Sequence, residues 1–331
     1  QDAARLTTLP PYYPDTAVVR EDWKRNYELI TAMDTWAGKL LQELKDDGLY
    51  ENTIIFFWSD HGIGLPRAKR WLYDSGTHIP LIVRIPEQYR GAGGPAPGQG
   101  RPGTVTDQMV SSIDLGPTVL KLAGLKIPDH VQGQPFLGRD LGQLRKYVFG
   151  ARDRMDERYD IIRMVRGKRY KYIRNYEPLK TFYQYMNTPE KGATMRELRR
   201  LHKAGTLSPE AERFFASRKP VEELYDCQAD PHELNNLAGD KEHHCHLVGM
   251  RAKHLKWVRD TGDLGLVPEG IITERTRQLG NSYAILRQEG AKETNRLLAK
   301  MAARASSGHK AFAELIDGLA APDAAVRYWA C

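Results

Sequence analysis

An apolar run, Ile54-Ile55-Phe56-Phe57-Trp58, breaks without transition into Ser59-Asp60-His61-Gly62. A β-branched and aromatic run of this length reads as a strand covered on both faces, which requires a sheet packed between two layers. Ligands in open α/β sheets sit just outside the carboxyl ends of the strands, so the polar tetrapeptide stands where chemistry is expected. Asp60 offers a metal one carboxylate oxygen and His61 one imidazole nitrogen, while Gly62 allows a sharp backbone turn beneath a bound group. The same residues also fit a blander reading, an Asp that caps the next helix and a solvated His.

The following segment narrows the choice. Residues 66–86 read Pro-Arg-Ala-Lys-Arg-Trp-Leu-Tyr-Asp-Ser-Gly-Thr-His-Ile-Pro-Leu-Ile-Val-Arg-Ile-Pro. This resembles the sulfatases of the alkaline-phosphatase superfamily, where a strand ending in Ser-Asp-(Asn or His)-Gly precedes a lysine, a Leu-Tyr-x-x-Gly-x-x-x-Pro turn and another buried strand. The matching residues are Asp60, His61, Gly62, Lys69, Leu72, Tyr73, Gly76 and Pro80, with the strand at 81–85. Ser112-Ile113-Asp114-Leu115-Gly116-Pro117-Thr118 fits the same order, as does Glu223-Leu224-Tyr225-Asp226 running into Asp230-Pro231-His232-Glu233-Leu234-Asn235-Asn236. The likeness runs over residues 10–262, and the short link at 66–69 is most similar to heparan N-sulfatase-type members.

The resemblance implies an α/β, alkaline-phosphatase-like sandwich with a small antiparallel-sheet subdomain and a helical C-terminal tail. The expected divisions are 1–142 for the catalytic α/β part, 143–262 for the subdomain and 263–331 for the tail. It also implies roles. Asp60 and His61 hold a metal, expected to be calcium, with Zn2+ or Mn2+ as alternatives because imidazole suits those ions better than it suits calcium. His61 alternatively hydrogen-bonds a sulfate or nucleophile oxygen. Lys69 contacts the substrate sulfate, where a compact ammonium offsets charge on the sulfate oxygens. Arg67 and Arg70 compete for that role, and Arg67 alternatively meets a second anionic group on the sugar. His78 is a candidate for the substrate pocket or a hydrogen-bonded structural residue.

One departure is an absence. Family members carry Cys-x-Pro-Ser-Arg or Ser-x-Pro-Ser-Arg, whose first residue becomes the formylglycine nucleophile. The three cysteines, Cys227, Cys245 and Cys331, do not begin such a motif, and the serine version does not occur. The family's Asp-Asp metal pair is missing too. The expectation is a fragment that lacks the nucleophile half, with formylglycine in the part before residue 1. At the other end, residues 321–331 resemble the opening of a HEAT-type repeat.

Composition adds little. Charged residues make up 27% of the 331, and no apolar run is long enough for a membrane span. The net charge of +7 suits a polyanion such as a sulfated carbohydrate, or an ordinary basic surface, and no motif supports nucleic acid. Cys227 and Cys245 could pair in an oxidising compartment. A periplasmic or secreted location is expected from the family alone, and nothing in the sequence fixes an oligomeric state.

The remaining elements follow from periodicity and breakers. An amphipathic helix is predicted over 20–47, stopped by Gly48. Strands are predicted at 53–59, 80–85, 147–150, 161–166, 169–174 and 223–226, and helices at 114–123, 194–203, 208–217 and 240–260, with a helical region from 271. Residues 91–103 read as a Gly/Pro-rich loop. Asp114 and Asp230 read as helix caps, and His243, His244 and His246 as a solvated helix face. The function expected is hydrolysis of a sulfate ester or sulfamate on a sulfated glycan. The alternatives are a phosphate-ester hydrolase of the same superfamily and a binding module without catalysis.

Residues 1–331 alone should therefore leave an aryl sulfate intact, because no unmodified Ser or Cys can replace formylglycine. Robust turnover by the isolated chain in a colorimetric assay would overturn this reading.

Overall fold

The computed structural model describes residues 8–90 and 102–331, so most of the predicted loop at 91–103 lies outside the described residues. The chain forms two compact units: the first holds residues 1–149, 166–168 and 187–212, the second 150–165, 169–186 and 213–331. This divides the chain differently from the three segments expected at 142 and 262.

In the first unit the long helix α1 (Ala17–Asp46) starts at Thr16, whose hydroxyl accepts from Val19 N, and stops at Gly48 in the left-handed region. Leu49 N returns to Leu44 O at 2.8 Å, closing the last turn. Asp22 on α1 caps another helix, α6 (Ala193–Ala204), from outside it: Asp22 Oδ2 accepts from Thr194 N at 2.7 Å and Thr194 Oγ1 at 2.8 Å. The cap is needed because the residue at the start of α6 is Gly192, which has no side chain to offer. Farther along α1 the apolar stripe stays open among the described residues, with Leu29 70% and Trp36 61% exposed.

Strand β1 (Ile55–Trp58) pairs antiparallel with β2 (Leu81–Arg84), placing Phe56 opposite Val83 and Trp58 opposite Leu81. Phe56 meets Phe136 edge-on. Cover on both faces was expected, but Trp58 and Ile82, which point to opposite faces of the pair, are both exposed among the described residues. Single helical turns follow at α2 (Asp74–Thr77) and α3 (Glu87–Arg90). Helix α4 (Leu115–Leu122) is capped otherwise than expected. Asp114 makes no side-chain cap on α4 itself but acts one turn earlier, in a capping box with Ser111 at the 3₁₀ turn 112–114 that leads into α4. Its buried carboxylate accepts from Ser111 N, and it also accepts from Gln134 N and a bidentate Arg145, which pins the irregular segment after α4. Two further turns, α5 (Asn187–Glu190) and α7 (Pro209–Glu212), flank α6, and the helix predicted over 208–217 is broken after Glu212 into a 3₁₀ turn.

The second unit is built on a four-stranded sheet in the order β3-β4-β5-β6: β3 (Val148–Met155), β4 (Arg158–Arg166), β5 (Tyr170–Asn175) and β6 (Glu222–Asp226). Strand β3 runs past the predicted end at 150 to a tight turn at Asp156, which takes a positive φ. Its charged stretch Arg152-Asp153-Arg154 hid it from a hydrophobic reading. Two of those charges are paired instead, Arg154 with Glu269 and Asp153 with Arg163: Arg163, inaccessible on β4, lies 2.8 Å from Asp153 and 2.7 Å from Asp263. Burial works against the Arg163 charge, but the two carboxylates outweigh it and raise its pKa. Lys219–Asp160 at 2.9 Å and Lys171–Glu233 at 2.7 Å are equally enclosed. Removing one partner from such a pair typically costs about 3–5 kcal/mol.

Helices α8 (His244–Thr261), α9 (Glu269–Leu279), α10 (Ala291–Arg304), α11 (Phe312–Leu319) and α12 (Ala324–Ala330) complete this unit. A single core joins Ile161 and Tyr176 of the sheet region to Val258, Leu298, Met301, Val326 and Trp329. Trp329 Nε1 also donates to Leu266 O at 2.7 Å. The HEAT-type expectation is thus not supported, since α12 serves as part of this core. Asp230 starts no helix either; its carboxylate accepts from Leu234 N and Asn235 N, closing a turn. Cys227 is buried, Cys245 exposed, and both are free thiols, so the suggested pairing is absent.

His254 of α8 is 1% exposed, with Nε2 2.8 Å from the Tyr176 hydroxyl. Burial, with Arg174 adding to it, lowers its pKa to about 3. The unfolded value near 6.5 is higher, so acid protonates the unfolded chain first and favours it. Unfolding free energy from urea titration should fall by roughly 1.4 kcal/mol per pH unit from this group below pH 6.5, down towards its folded pKa. His254→Gln should flatten that slope between pH 6 and 4.5; an unchanged slope would reject the assignment.

Candidate functional site

The strand-end tetrapeptide and the loop after it form one knot in the first unit. Gly62 N donates to Gly76 O at 2.9 Å, joining the end of β1 to the turn before β2. The expectation that Gly62 provides a sharp turn needs correction: its φ is not in the left-handed region. Gly62 is needed for close approach, because a Cβ there would stand 1.9 Å from Ser75 O. Gly76 is pressed in the same way, a Cβ falling 2.2 Å from Ala68 O. Two backbones therefore touch where any side chain would part them.

On this knot Ser59 Oγ donates to His61 O at 2.6 Å. His61 Nδ1 lies 2.6 Å from Gly62 O, and a carbonyl only accepts, so Nδ1 carries the proton. Nε2 lies 3.4 Å from Asp60 Oδ1. With a neutral ring, the Nε2 lone pair and the carboxylate oxygen can share a cation. A ring nitrogen tied to a carbonyl while the other stays available is the usual state of a metal-ligating histidine. Asp60 has an open carboxylate, its side chain 82% exposed, so the pair fits a divalent ion approached from solvent.

Lys69 follows after a tight loop. Lys69 N donates to Ile63 O at 2.9 Å, and Ala68 N to Leu65 O at 3.2 Å. The Lys69 side chain is half-buried, and its ammonium has no hydrogen-bond or ion-pair partner among the described residues. Arg67 and Arg70, on either side, both take positive φ, 62° and 79°. Such backbone costs about 1–3 kcal/mol per residue and persists only where the surroundings enforce it. Ser75 Oγ donates to Arg67 O at 2.7 Å, and the Tyr13 hydroxyl donates to Pro66 O. Burial pushes the Tyr13 phenol well up, with Tyr12 adding to it and Arg67 opposing, which keeps it a donor.

The structure thus brings Asp60, His61 and Lys69 onto one scaffold. Arg67 is 8% exposed, its guanidinium over Tyr73 at 3.9 Å and over Tyr12 at 4.4 Å, which leaves little of it for a substrate. His78 ends α2, exposed and without a side-chain partner among the described residues. Asp74, unflagged by sequence, pairs with Arg166 at 3.0 Å. Tyr12, Tyr13 and Ser75 were also missed; the only hint was a Tyr pair lodged between prolines at 10–14. His243 sits 3.2 Å from Asp240 and His246 stacks on Tyr170, in the second unit. A cavity of about 440 Å³ lined by Arg275, Gln278, Thr294 and Asp323 contains none of the predicted site residues.

This is an α/β chain of alkaline-phosphatase type. The sulfatase family pattern matches residues 8–125, and the C-terminal pattern of N-sulphoglucosamine sulphohydrolase matches residues 67–198. An ulvan-active sulfatase of Formosa agariphila is 43% identical over 277 residues, 84% of this chain and 45% of the relative. The N-sulphoglucosamine sulphohydrolase of Homo sapiens is 28% identical over 286 residues, 82% of this chain and 54% of the relative. In fold, the crystal structure of a Bacteroides fragilis protein assigned as a sulfatase superimposes with a TM-score of 0.54 at 23% identity, over 80% of this chain and 49% of that one. The chain belongs to the sulfatase family. It spans about half the length of the curated relatives it matches.

Gly62→Ala tests the knot directly. The added methyl meets backbone, which cannot swing aside, so destabilisation of about 1–3 kcal/mol is expected. Thermal denaturation should show a lowered Tm; an unshifted Tm would mean that the two backbones are not in contact.

Proposed function

We propose that the protein carrying this chain hydrolyses a sulfate ester or sulfamate on a sulfated carbohydrate. The observation that carries this reading is the Lys69 ammonium, unpartnered among the described residues, on the loop tied to Asp60 and His61 through Gly62 and Gly76. An ammonium on the same loop scaffold as a metal-competent pair is suited to an anion with several oxygens. The printed names of the relatives, one acting on ulvan and one on N-sulphoglucosamine, support a sulfated sugar. A phosphate-ester hydrolase or a binding module is less favoured, since both matched patterns are of sulfatases.

In this reading Asp60 and His61 hold the metal, with calcium first and Zn2+ or Mn2+ as alternatives. A cation there would draw charge from the sulfate oxygens. Lys69 neutralises charge as it shifts on those oxygens during S–O or S–N cleavage, and being fixed beforehand it needs no reorganisation. In the same reading His78, at the open end of α2, contacts the sugar. No formylglycine motif occurs within residues 1–331, and in this reading the chain contributes the metal and sulfate contacts. Among the described residues no helix is long and apolar enough to cross a membrane.

In the protein at its full natural length, Lys69→Ala should lower kcat by about 10²–10³. It should change stability by no more than about 0.5 kcal/mol, as for a loop lysine whose ammonium has no partner among the described residues. Asp60→Ala should abolish calcium uptake measured by calorimetry and leave Tm in metal-free buffer unchanged. Normal turnover of the Lys69 variant, or normal calcium uptake by the Asp60 variant, would remove that residue from the site.

A further inference from the structure

We propose that Arg67 is the positioning residue that fixes Lys69 against the sulfate, acting as a cation wedged between Tyr12 and Tyr73 and not as an anion contact. This rests on the reading of Lys69 as the sulfate contact.

The left-handed residues Arg67 and Arg70 bracket Ala68-Lys69, so the direction of the lysine depends on both holding an unfavourable backbone. A non-glycine residue at positive φ relaxes unless held. At position 67 the holding groups are on the page. The Tyr73 and Tyr12 rings lie 3.9 and 4.4 Å from the guanidinium carbon, and the Arg67 carbonyl accepts from Ser75 Oγ at 2.7 Å. Tyr13, next to one of those rings, binds Pro66 O, and Ala68 is fully buried.

The clamp therefore ties segments 12–13, 66–68 and 73–75 together beneath Lys69, and Gly62–Gly76 ties them to Asp60 and His61. A planar, delocalised cation can lie flat against aromatic rings, whereas a lysine ammonium at the same position is a point charge that cannot stack. With little of Arg67 exposed, its charge is spent on the rings.

The test is a double-mutant cycle on inorganic sulfate binding by the full-length natural protein, measured by calorimetry with Tm recorded for every variant. Arg67→Gln and Arg67→Lys should each weaken sulfate at least tenfold, and Tyr73→Leu or Tyr12→Leu should do the same with the arginine in place. Adding Arg67→Gln to Lys69→Ala should weaken binding no further, because the arginine acts through the lysine. If the Arg67 variants fail to fold, the tyrosine variants carry the same comparison against Lys69→Ala. Wild-type affinity in Arg67→Lys, or a full additional loss on top of Lys69→Ala, would overturn the proposal and leave the lysine assignment standing. Unchanged affinity in Lys69→Ala alone would instead overturn the functional reading, and the proposal with it.

Discussion

The backbone of Gly62 lies against the backbone of Ser75 and Gly76, closer than any side chain would allow. The contact makes a strand end and a turn move as one body, and the candidate chemistry is mounted on it. Asp60 and His61 stand immediately before the contact, and Lys69 lies on the loop it encloses. Hydrogen bonds from Gly62 N to Gly76 O and from Lys69 N to Ile63 O leave that loop little freedom. A site that must face an anion with a fixed cation gains from such stiffness, because the ordering entropy is lost on folding and not during the reaction. The cost appears as two arginines in left-handed backbone, which only the surrounding hydroxyls, rings and glycine contacts make tolerable.

The second unit solves a different problem. Its small sheet has inward positions occupied by Arg163, Lys171 and Asp160, residues that a hydrophobic core would exclude. Each is matched by an opposite charge within hydrogen-bond distance, on Asp263, Glu233 and Lys219. Pairs of this kind add little net stability over apolar residues, but their geometric demands are strict, and a chain that mispairs them leaves a buried charge. The apolar share of the core comes from the C-terminal helices, with Trp329 reaching back to Leu266 O. These helices belong to the unit's own interior, which is why a repeat pattern read from residues 321–329 did not describe them.

The family assignment joins these parts to a known class without making them equivalent to it. The matched patterns cover residues 8–198, and the more distal helices find their explanation in packing alone. In the first unit, Trp58 and Ile82 on the β pair and Trp36 on α1 remain open to solvent among the described residues.

What the sequence determined by itself was local and chemical. The run at 54–58 had to be a strand, Gly48 had to end a helix, and the order Asp60, His61, Lys69, Tyr73, Gly76 carried the family because its residue types and spacing are visible without a structure. The sequence also identified which residues could bind a metal or an anion. Tertiary structure alone decided how they are used. It showed that Gly62 serves close approach and not a turn, that Asp114 caps the 3₁₀ turn before α4 and also pins the segment after it, that Asp230 closes a turn and starts no helix, and that Arg67 lies between two aromatic rings. It also revealed the strand through Arg152-Asp153-Arg154, whose charges look like a loop until Arg163 is placed against Asp153. The physical reason is common to all of these. Residue type and spacing fix what a segment can do with its neighbours in sequence. The partner of a buried charge, a glycine or a stacked guanidinium comes from a distant segment, and only the fold brings it there.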